Sequence, residues 1–316
     1  SEKWLIVGVR GLRLGFSVFV YCWSVIASSA EMNQGLALRV AQDEAKIADI
    51  TDGAEKLVVW AGESNVKTDY SIVYLHGYSA TRQETHPLTE NIAQQLGANV
   101  FYTRFTGHGR DGAAMATITK QALLDDTSDA LDIGHQLGEK VIVIGVSTGA
   151  TLATLYAAQG GSDILAMILI SPNFKERSPL IKLMRLPYVI QITKFIFGDN
   201  YSWEPKNALH DKYWTHTFPL ESMLPMLQLL EDISRVDLSL IKVPLAIFYS
   251  PDDEVINVTA VEEYFTRLGS TTKKLVAVDT KGVLHSHVIA GNILAPHLTD
   301  SIVAKSLEFI EEIGGN

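Results

Sequence analysis

Short runs of apolar residues alternate along this chain with longer segments in which apolar residues recur every three or four positions. The short runs are rich in valine, isoleucine and aromatic residues, which is typical of buried β-strands, and the longer segments are typical of helices. Strands that alternate with helices form a mostly parallel sheet with helices on both faces. We therefore expect strands near residues 57–60, 70–75, 99–104, 141–144, 165–171, 244–250 and 274–278. Helices are expected near residues 86–96, 119–137, 258–268 and 299–313, with a further one directly after residue 147.

This strand pattern is interrupted by about seventy residues between the fifth and the sixth run. A loop of that length without secondary structure is uncommon in a compact domain. Apolar residues recur at helical spacing within the interval, so we expect a helical cap over residues 173–235. The cap would be inserted between two parts of one core, residues 56–172 and 236–316. Most of its apolar side chains should pack on the core, and some are expected to line a ligand-binding pocket.

The first 55 residues are expected to form an apolar N-terminal segment followed by a linker that contains a helical piece. Three basic residues precede a stretch of 17 uncharged residues, Leu14 to Ala30, which ends in small side chains. This pattern is typical of a secretory signal, and an uncleaved membrane anchor is the second interpretation. We therefore expect an exported protein, or one associated with a membrane through residues 4–30. If the segment is instead a helix packed on the domain, a cytoplasmic protein is the alternative.

The bulk composition excludes several function classes. With 316 residues, 47% of them hydrophobic and 20% charged, the chain can form one large domain, with or without an insertion. The net charge of −10 and the lack of a Lys/Arg cluster argue against nucleic acid as a partner. The only cysteine is Cys22, which leaves no intramolecular disulfide, and no metal-binding motif is present, so we expect no metal and no cofactor.

One predicted strand leads directly into the pentapeptide Gly145-Val146-Ser147-Thr148-Gly149. A G-x-S-x-G sequence is common by chance, but here a β-branched run precedes it and a helical pattern follows it. In that context the serine lies on a sharp turn that lifts its hydroxyl clear of the sheet. Ser147 is therefore the candidate nucleophile. The backbone N–H of Thr148 lies at a helix N-terminus, where it can face a developing negative charge.

A serine hydroxyl needs a base to take its proton and a third group to orient that base. Since the carboxyl ends of parallel strands meet at one edge of a sheet, both groups are expected after other predicted strands. Asp252 and Asp253 follow one of the last two strands, and His285 and His287 follow the other. Spacing alone does not choose within either pair.

Five short segments that follow predicted strands can be considered together: HGY (76–78), GHG (107–109), GVSTG (145–149), SPDDEVI (250–256) and HSHVIAG (285–291). In combination they resemble the α/β-hydrolase superfamily, in particular its esterase and monoacylglycerol-lipase-like branch, which includes serine aminopeptidase-like members. The resemblance covers about residues 57–313. The chain order serine, aspartate, histidine is the order expected of that fold.

The resemblance implies a site and an activity. The acid of that family lies in a D-x-V-[IV] setting, which matches Asp253, and its histidine precedes a short apolar stretch, which matches His287. With Ser147 these residues would form a catalytic triad, and the backbone N–H groups of Tyr78 and Thr148 would form the oxyanion hole. The implied function is a serine carboxylesterase or small lipase whose partner is a small-molecule, uncharged acyl ester. The elbow GVSTG does not by itself fix the substrate.

Three other functions remain as alternatives. Residues 107–112 read G-x-G-x-x-G, the fingerprint of a dinucleotide-binding oxidoreductase, but no helical pattern begins at the third glycine. A non-catalytic binding protein with a hydrolase fold would usually lack one member of the triad. An aminopeptidase-type serine hydrolase would need a carboxylate for a free amino terminus, and the cap offers Glu204, Glu221 and Glu231.

Overall fold

A seven-stranded, mostly parallel sheet forms the centre of the protein. The computed structural model describes residues 35–161 and 163–314, so the predicted apolar segment of residues 4–30 lies outside the described residues. Every helix in the described ranges is too short or too polar to cross a lipid bilayer. The strands of this sheet are β1 (Leu57–Val59), β2 (Thr68–Leu75), β3 (Asn99–Tyr102), β4 (Gly138–Val146), β5 (Ile164–Ile170), β8 (Leu245–Tyr249) and β9 (Lys273–Ala277). Their order in the sheet is β1-β3-β2-β4-β5-β8-β9, and within this sheet only β1 runs antiparallel to its neighbour. The predicted α/β architecture is confirmed.

Both faces of the central strands are buried, which explains why they appear in the sequence as continuous apolar runs. Successive side chains of a strand point to opposite faces, so Val73 and Leu75 join one hydrophobic cluster while Ile72 and Tyr74 join the other. The first cluster is covered by helices α3 (Lys120–Leu137), α4 (Thr148–Ala158) and α8 (Val258–Arg267), and the second by α2 (Leu88–Leu96) and α9 (Pro296–Gly314).

Polar side chains mark where two of these helices begin. The Thr119 hydroxyl accepts a hydrogen bond from the N–H of Ala122 at 3.0 Å, and the Asn257 side chain accepts one from the N–H of Ala260 at 3.0 Å. Each bond satisfies an N–H group that has no partner within its own helix. The chain therefore enters α3 and α8 at fixed positions.

Between β5 and β8 the chain leaves the sheet and folds over its carboxyl edge. This part contains a 3₁₀ helix (Pro179–Arg185), α5 (Val189–Phe197), α6 (Ala208–Tyr213) and α7 (Met223–Arg235). It also contains a two-stranded antiparallel ribbon of β6 (Asn200–Ser202) and β7 (Thr217–Pro219), which the sequence pattern did not predict. We keep the name cap for residues 173–235, the range proposed from the sequence. Helix α7 packs against α4, the helix that follows Ser147.

Helix α1 (Leu36–Glu44) lies in the segment expected to be a linker, but it is tied to the core. The Arg104 guanidinium donates to the Glu44 carboxylate at 2.6 and 2.9 Å, and both side chains are buried. Glu44 also accepts a hydrogen bond from the N–H of Lys56 at 2.9 Å. A buried charged pair of this kind cannot be read from local sequence, because its partners are 60 residues apart.

Candidate active site

Ser147 lies between the end of β4 and the start of α4 in a backbone conformation that disfavours a side chain. Its φ is +50° and its ψ is −112°. Such an arrangement costs about 1–3 kcal/mol and persists only where the surroundings hold it. Here the N–H of Ser147 donates to the carbonyl of Ile170 in β5 at 2.9 Å, and its carbonyl accepts the N–H of Asn173 at 3.2 Å. The serine is 6% exposed and lines a cavity beneath the cap.

The two glycines of the pentapeptide allow the close packing that this turn needs. A Cβ atom on Gly145 would lie 2.8 Å from the Cα of Ala150, which is the backbone of the following helix. A Cβ atom on Gly149 would overlap the carbonyl oxygen of Leu75 in β2. Any larger residue at either position would therefore push α4 away from the sheet.

Asp253 and His287 form a buried hydrogen-bonded pair. Asp253 follows β8 and His287 follows β9, and the imidazole Nδ1–H donates to the carboxylate Oδ2 at 2.7 Å. The other oxygen of Asp253, Oδ1, accepts the N–H groups of Val255 at 2.8 Å and Ile256 at 3.2 Å. With Nδ1 protonated, the neutral ring of His287 has Nε2 as its proton acceptor.

This pairing shifts the pKa of both groups in opposite directions. Burial alone would lower the pKa of His287, but the charge of Asp253 and its hydrogen bond outweigh burial, so the pKa is raised. Burial alone would raise the pKa of Asp253, but the charge and hydrogen bond of His287 and the two backbone N–H groups lower it. The carboxylate is therefore charged at neutral pH, and it favours the protonated form of the imidazole.

The two neighbours that the sequence left open lie in different places. Asp252 is exposed to solvent, whereas Asp253 is buried against the histidine. His285 lines the same cavity as His287, but its Nδ1 accepts the backbone N–H of His287 at 3.3 Å, so it does not contact Asp253 through that atom.

The turn from His76 to Tyr78 faces Ser147 from β2. The Nδ1–H of His76 donates to the carbonyl of Gly77 at 2.8 Å, and its Nε2 accepts the N–H of Phe105 at 3.1 Å. These two bonds give His76 a structural role in the turn. The N–H of Gly77 donates to the buried carboxylate of Glu84 at 2.8 Å.

Two backbone N–H groups near Ser147 lack a protein acceptor in the ranges 35–161 and 163–314. The N–H of Thr148 belongs to the first residue of α4 and has no acceptor inside the helix. The N–H of Tyr78 likewise has no acceptor among the backbone or side-chain groups of those ranges. The Tyr78 side chain lies in the cavity lining, and its hydroxyl donates to the carbonyl of Ser222 in the cap.

The cavity has a volume of about 450 Å³ and lies between the cap and the carboxyl edge of the sheet. Ser147 and His287 both line it. One part of its lining is apolar and comes from the cap: Ile181, Phe218, Met223, Met226, Leu227 and Leu230. Another part is aromatic and contains Trp203, His210 and Trp214.

Sequence reasoning missed two cavity residues, Glu84 and His210. Glu84 is 2% exposed, and burial raises the pKa of its carboxyl to about 7. It follows β2 by nine residues without any motif, so no local signal marks it. His210 stands in α6, whose six residues carry no strong periodic pattern. Of the three cap carboxylates considered for an amino-terminus site, only Glu204 lines the cavity.

The remaining motif, G-x-G-x-x-G at residues 107–112, does not open a helix. A short 3₁₀ helix (Ala114–Thr117) follows it, and α3 begins only at Lys120. This geometry differs from a dinucleotide-binding turn, in which the third glycine lies at a helix N-terminus. In the described ranges, no three His, Cys, Asp or Glu side chains come together in a way that could hold a metal ion.

Residues 67–288 match the model of the family described as serine aminopeptidase, S33. The match covers more than half of the 316 residues. The chain belongs to this family. The resemblance to α/β-hydrolases inferred from the five segments is therefore confirmed.

Solved structures share the fold of this S33-family protein. One of the metagenome-derived lipolytic enzymes LipS and LipT is 20% identical with a TM-score of 0.67, over 84% of this chain and 100% of that one. The monoacylglycerol lipase of Paleococcus ferrophilus is 12% identical with a TM-score of 0.61, over 82% of this chain and 98% of that one. At these identities the likeness establishes the fold.

One curated relative matches over part of its length. A probable alcohol acetyltransferase of Cyberlindnera fabianii is 27% identical over 150 residues, which are 48% of this chain and 38% of that protein. The match thus spans well under half of the relative.

Proposed function

We propose that this protein is a serine carboxylesterase or small lipase that hydrolyses uncharged acyl esters through an acyl-enzyme on Ser147. The observation that carries the proposal is the buried Asp253–His287 hydrogen bond of 2.7 Å in the lining of the cavity that also holds the strained serine. A base that is oriented by a buried carboxylate beside a serine on a sharp turn is the arrangement that acyl transfer requires.

The proposed reaction has two stages, formation of the acyl-enzyme and its hydrolysis, and each group acts once in each stage. The Ser147 hydroxyl attacks the ester carbonyl while His287 Nε2 takes its proton, and Asp253 stabilises the imidazolium that forms. The N–H groups of Tyr78 and Thr148 hold the oxyanion, and each contributes roughly 2.7–4 kcal/mol of transition-state stabilisation. His287 then protonates the leaving alcohol, and water releases the acyl group by the same steps in reverse.

The cavity lining supports an uncharged acyl group as the substrate part that binds under the cap. The methionine and leucine side chains of α7 (Met223–Arg235) supply an apolar surface, and methionine adapts to differing chain shapes. The same volume would take short to medium chains, or an ester of the monoacylglycerol type.

An aminopeptidase-type hydrolase is the second candidate. The specific observation in its favour is Glu204, an exposed carboxylate in the cavity lining that could bind a free amino terminus. Glu221 instead pairs with Lys194 at 3.1 Å, and Glu231 pairs with Arg235 and Arg185.

For localisation we propose export or membrane association through residues 4–30. This proposal rests on the basic, apolar and small-residue pattern of the sequence.

The test of the enzymatic proposal is hydrolysis of p-nitrophenyl esters from acetate to palmitate by the wild type, Ser147→Ala and Ser234→Ala. Ser234 is an exposed serine of α7 outside the cavity lining, so its substitution is the matched control. We expect Ser147→Ala to lose roughly 10⁶-fold in kcat and Ser234→Ala to keep wild-type activity. If the protein hydrolyses aminoacyl p-nitroanilides but no ester, the esterase proposal is wrong and the aminopeptidase proposal is supported.

A further inference from the structure

The cavity contains two histidines that the proposed mechanism does not use. His210 comes from α6 of the cap, and His285 comes from the loop that carries His287. The ring centroids of His210 and His285 are 6.5 Å apart, and those of His285 and His287 are 6.3 Å apart. His285 is thus a ring neighbour of both the proposed base and the cap residue His210, and we call the three rings the row of imidazoles.

Backbone contacts determine which nitrogen of each ring carries the proton. The N–H of Lys206 donates to Nδ1 of His210 at 3.1 Å, and the N–H of His287 donates to Nδ1 of His285 at 3.3 Å. A backbone N–H can only donate, so each Nδ1 is the unprotonated nitrogen, and in the neutral ring the proton lies on Nε2. Neither Nε2–H has an acceptor among the described residues. Both are therefore available as donors to a bound molecule.

Both rings are neutral at pH 7. Burial, together with the nearby His285 and Lys206, lowers the pKa of His210 to about 4. Burial and the neighbouring His287 lower the pKa of His285. Two neutral N–H donors suit an uncharged oxygen acceptor, since they offer no net charge to a carboxylate or phosphate.

Tryptophan rings fix the position of His210. Its centroid lies 4.7 Å from that of Trp203 and 4.6 Å from that of Trp214. His210 is 4% exposed and Trp214 is 6% exposed, so the donor is held in a packed aromatic wall. A donor that is already oriented loses little side-chain entropy when it binds a ligand.

The row of imidazoles begins where the leaving group must lie. This step rests on the proposed function, in which His287 returns a proton to the oxygen of the departing alcohol. The alcohol part of the ester is therefore next to His287, and His285 and His210 extend beyond it. We infer that His210 and His285 bind an uncharged oxygen on the alcohol part, so that esters of hydroxyl- or ether-bearing alcohols are preferred over esters of plain alkanols.

The test compares two esters that differ by one oxygen, 2-methoxyethyl butanoate and butyl butanoate. The kcat/KM of the methoxyethyl ester is divided by that of the butyl ester, and the result is divided by the same ratio of their alkaline hydrolysis rates. This corrected ratio measures recognition of the extra oxygen. We expect this corrected ratio to exceed one in the wild type and to fall roughly 3- to 10-fold in His210→Phe and in His285→Phe. His210→Gln, whose amide can donate from a similar position, should restore part of the preference.

His216→Phe is the matched control, because His216 lies on the same cap but outside the cavity lining. It should keep the wild-type ratio. An unchanged ratio in both His210→Phe and His285→Phe would overturn the inference, and so would an equal loss of activity on the two esters.

Binding of the same esters to Ser147→Ala, followed by tryptophan fluorescence, separates this inference from the proposed function. A preference for the methoxyethyl ester that disappears when His210→Phe is added supports the donor pair, even if the wild type hydrolyses neither ester. Equal binding of both esters to Ser147→Ala would refute the donor pair, even if Ser147 proves to be the nucleophile.

Discussion

Asp252 and Asp253 are adjacent on one loop, yet their side chains lie in different surroundings. The carboxylate of Asp253 is buried, and that of Asp252 is exposed to solvent. Asp253 accepts two backbone N–H groups as well as the histidine, so its carboxylate is held in a single orientation. The hydrogen bond to Nδ1 in turn keeps the imidazole in the tautomer that exposes Nε2 as a base.

Replacing Asp253 by asparagine should therefore reduce kcat by about 10⁴-fold, because the amide would favour the wrong tautomer of His287. Asp252→Asn makes the same chemical change on an exposed side chain and should stay within about twofold of the wild type. Steady-state kinetics of both variants on a p-nitrophenyl ester shows which of the two aspartates supports catalysis. A large loss in Asp252→Asn with an active Asp253→Asn would reverse the assignment.

Glu84 affects the same histidine through charge. When it is ionised, its carboxylate raises the pKa of His287, as Asp253 does more strongly. Because the pKa of Glu84 is itself about 7, this charge is present mainly above pH 7 and is lost as the pH falls below it. His287 must be neutral to act as a base, so kcat/KM should fall as the pH drops below its raised pKa. In Glu84→Gln the amide oxygen can still accept the N–H of Gly77, but the negative charge is gone.

We therefore expect the acid limb of kcat/KM to move to lower pH in Glu84→Gln. The measurement is a pH profile from pH 5 to 9, with Glu63→Gln, an exposed carboxylate, as the control. A limb that stays in place or moves to higher pH would show that Glu84 carries no charge felt by His287.

At the scale of elements, α1 shows how a helix outside the predicted core is fastened to it. The Glu44–Arg104 pair is bidentate and buried, and Arg104 also donates to the carbonyl of His108 at 3.1 Å. The pair therefore links α1 to the loop after β3, which packs beside Tyr78 through the His108 ring.

Removing one charge of this pair leaves the other buried without compensation. Glu44→Gln should lower the free energy of unfolding by about 3 kcal/mol, whereas Asp43→Asn, in the exposed pair with Lys46, should change it by less than about 0.5 kcal/mol. Urea unfolding followed by circular dichroism measures both. Equal midpoints for the two variants would mean that α1 contributes nothing through this pair.

At the scale of the whole molecule, the full chain of 316 residues has a net charge of −10, and its N-terminal segment contains an uncharged run of 17 residues, Leu14 to Ala30. Residues 1–30 hold three basic residues and one acidic residue, so the domain that follows them is acidic. The acidic domain has no electrostatic attraction to an anionic lipid surface, so any membrane association should depend on the apolar segment.

Cell fractionation of the full chain and of a chain lacking residues 1–30 tests this. We expect the full chain in the membrane or exported fraction and the shortened chain in the cytosolic fraction, with esterase activity retained by both. Cytosolic recovery of both chains would contradict export and membrane association.

The sequence by itself determined the sheet, the elbow and the order of the three candidate residues. These are local signals, because a buried parallel strand needs a continuous apolar run, and a sharp strand-to-helix turn needs glycines two residues before and two residues after Ser147. Spacing along the sequence did not distinguish Asp253 from Asp252, and only the family resemblance favoured Asp253. The tertiary structure supplies the physical difference, since Asp253 is buried against His287 and Asp252 is exposed. The tertiary structure alone also showed the positions of Glu84 and His210 in the cavity and the buried Glu44–Arg104 pair. Each of these depends on contacts between elements that are distant in the chain.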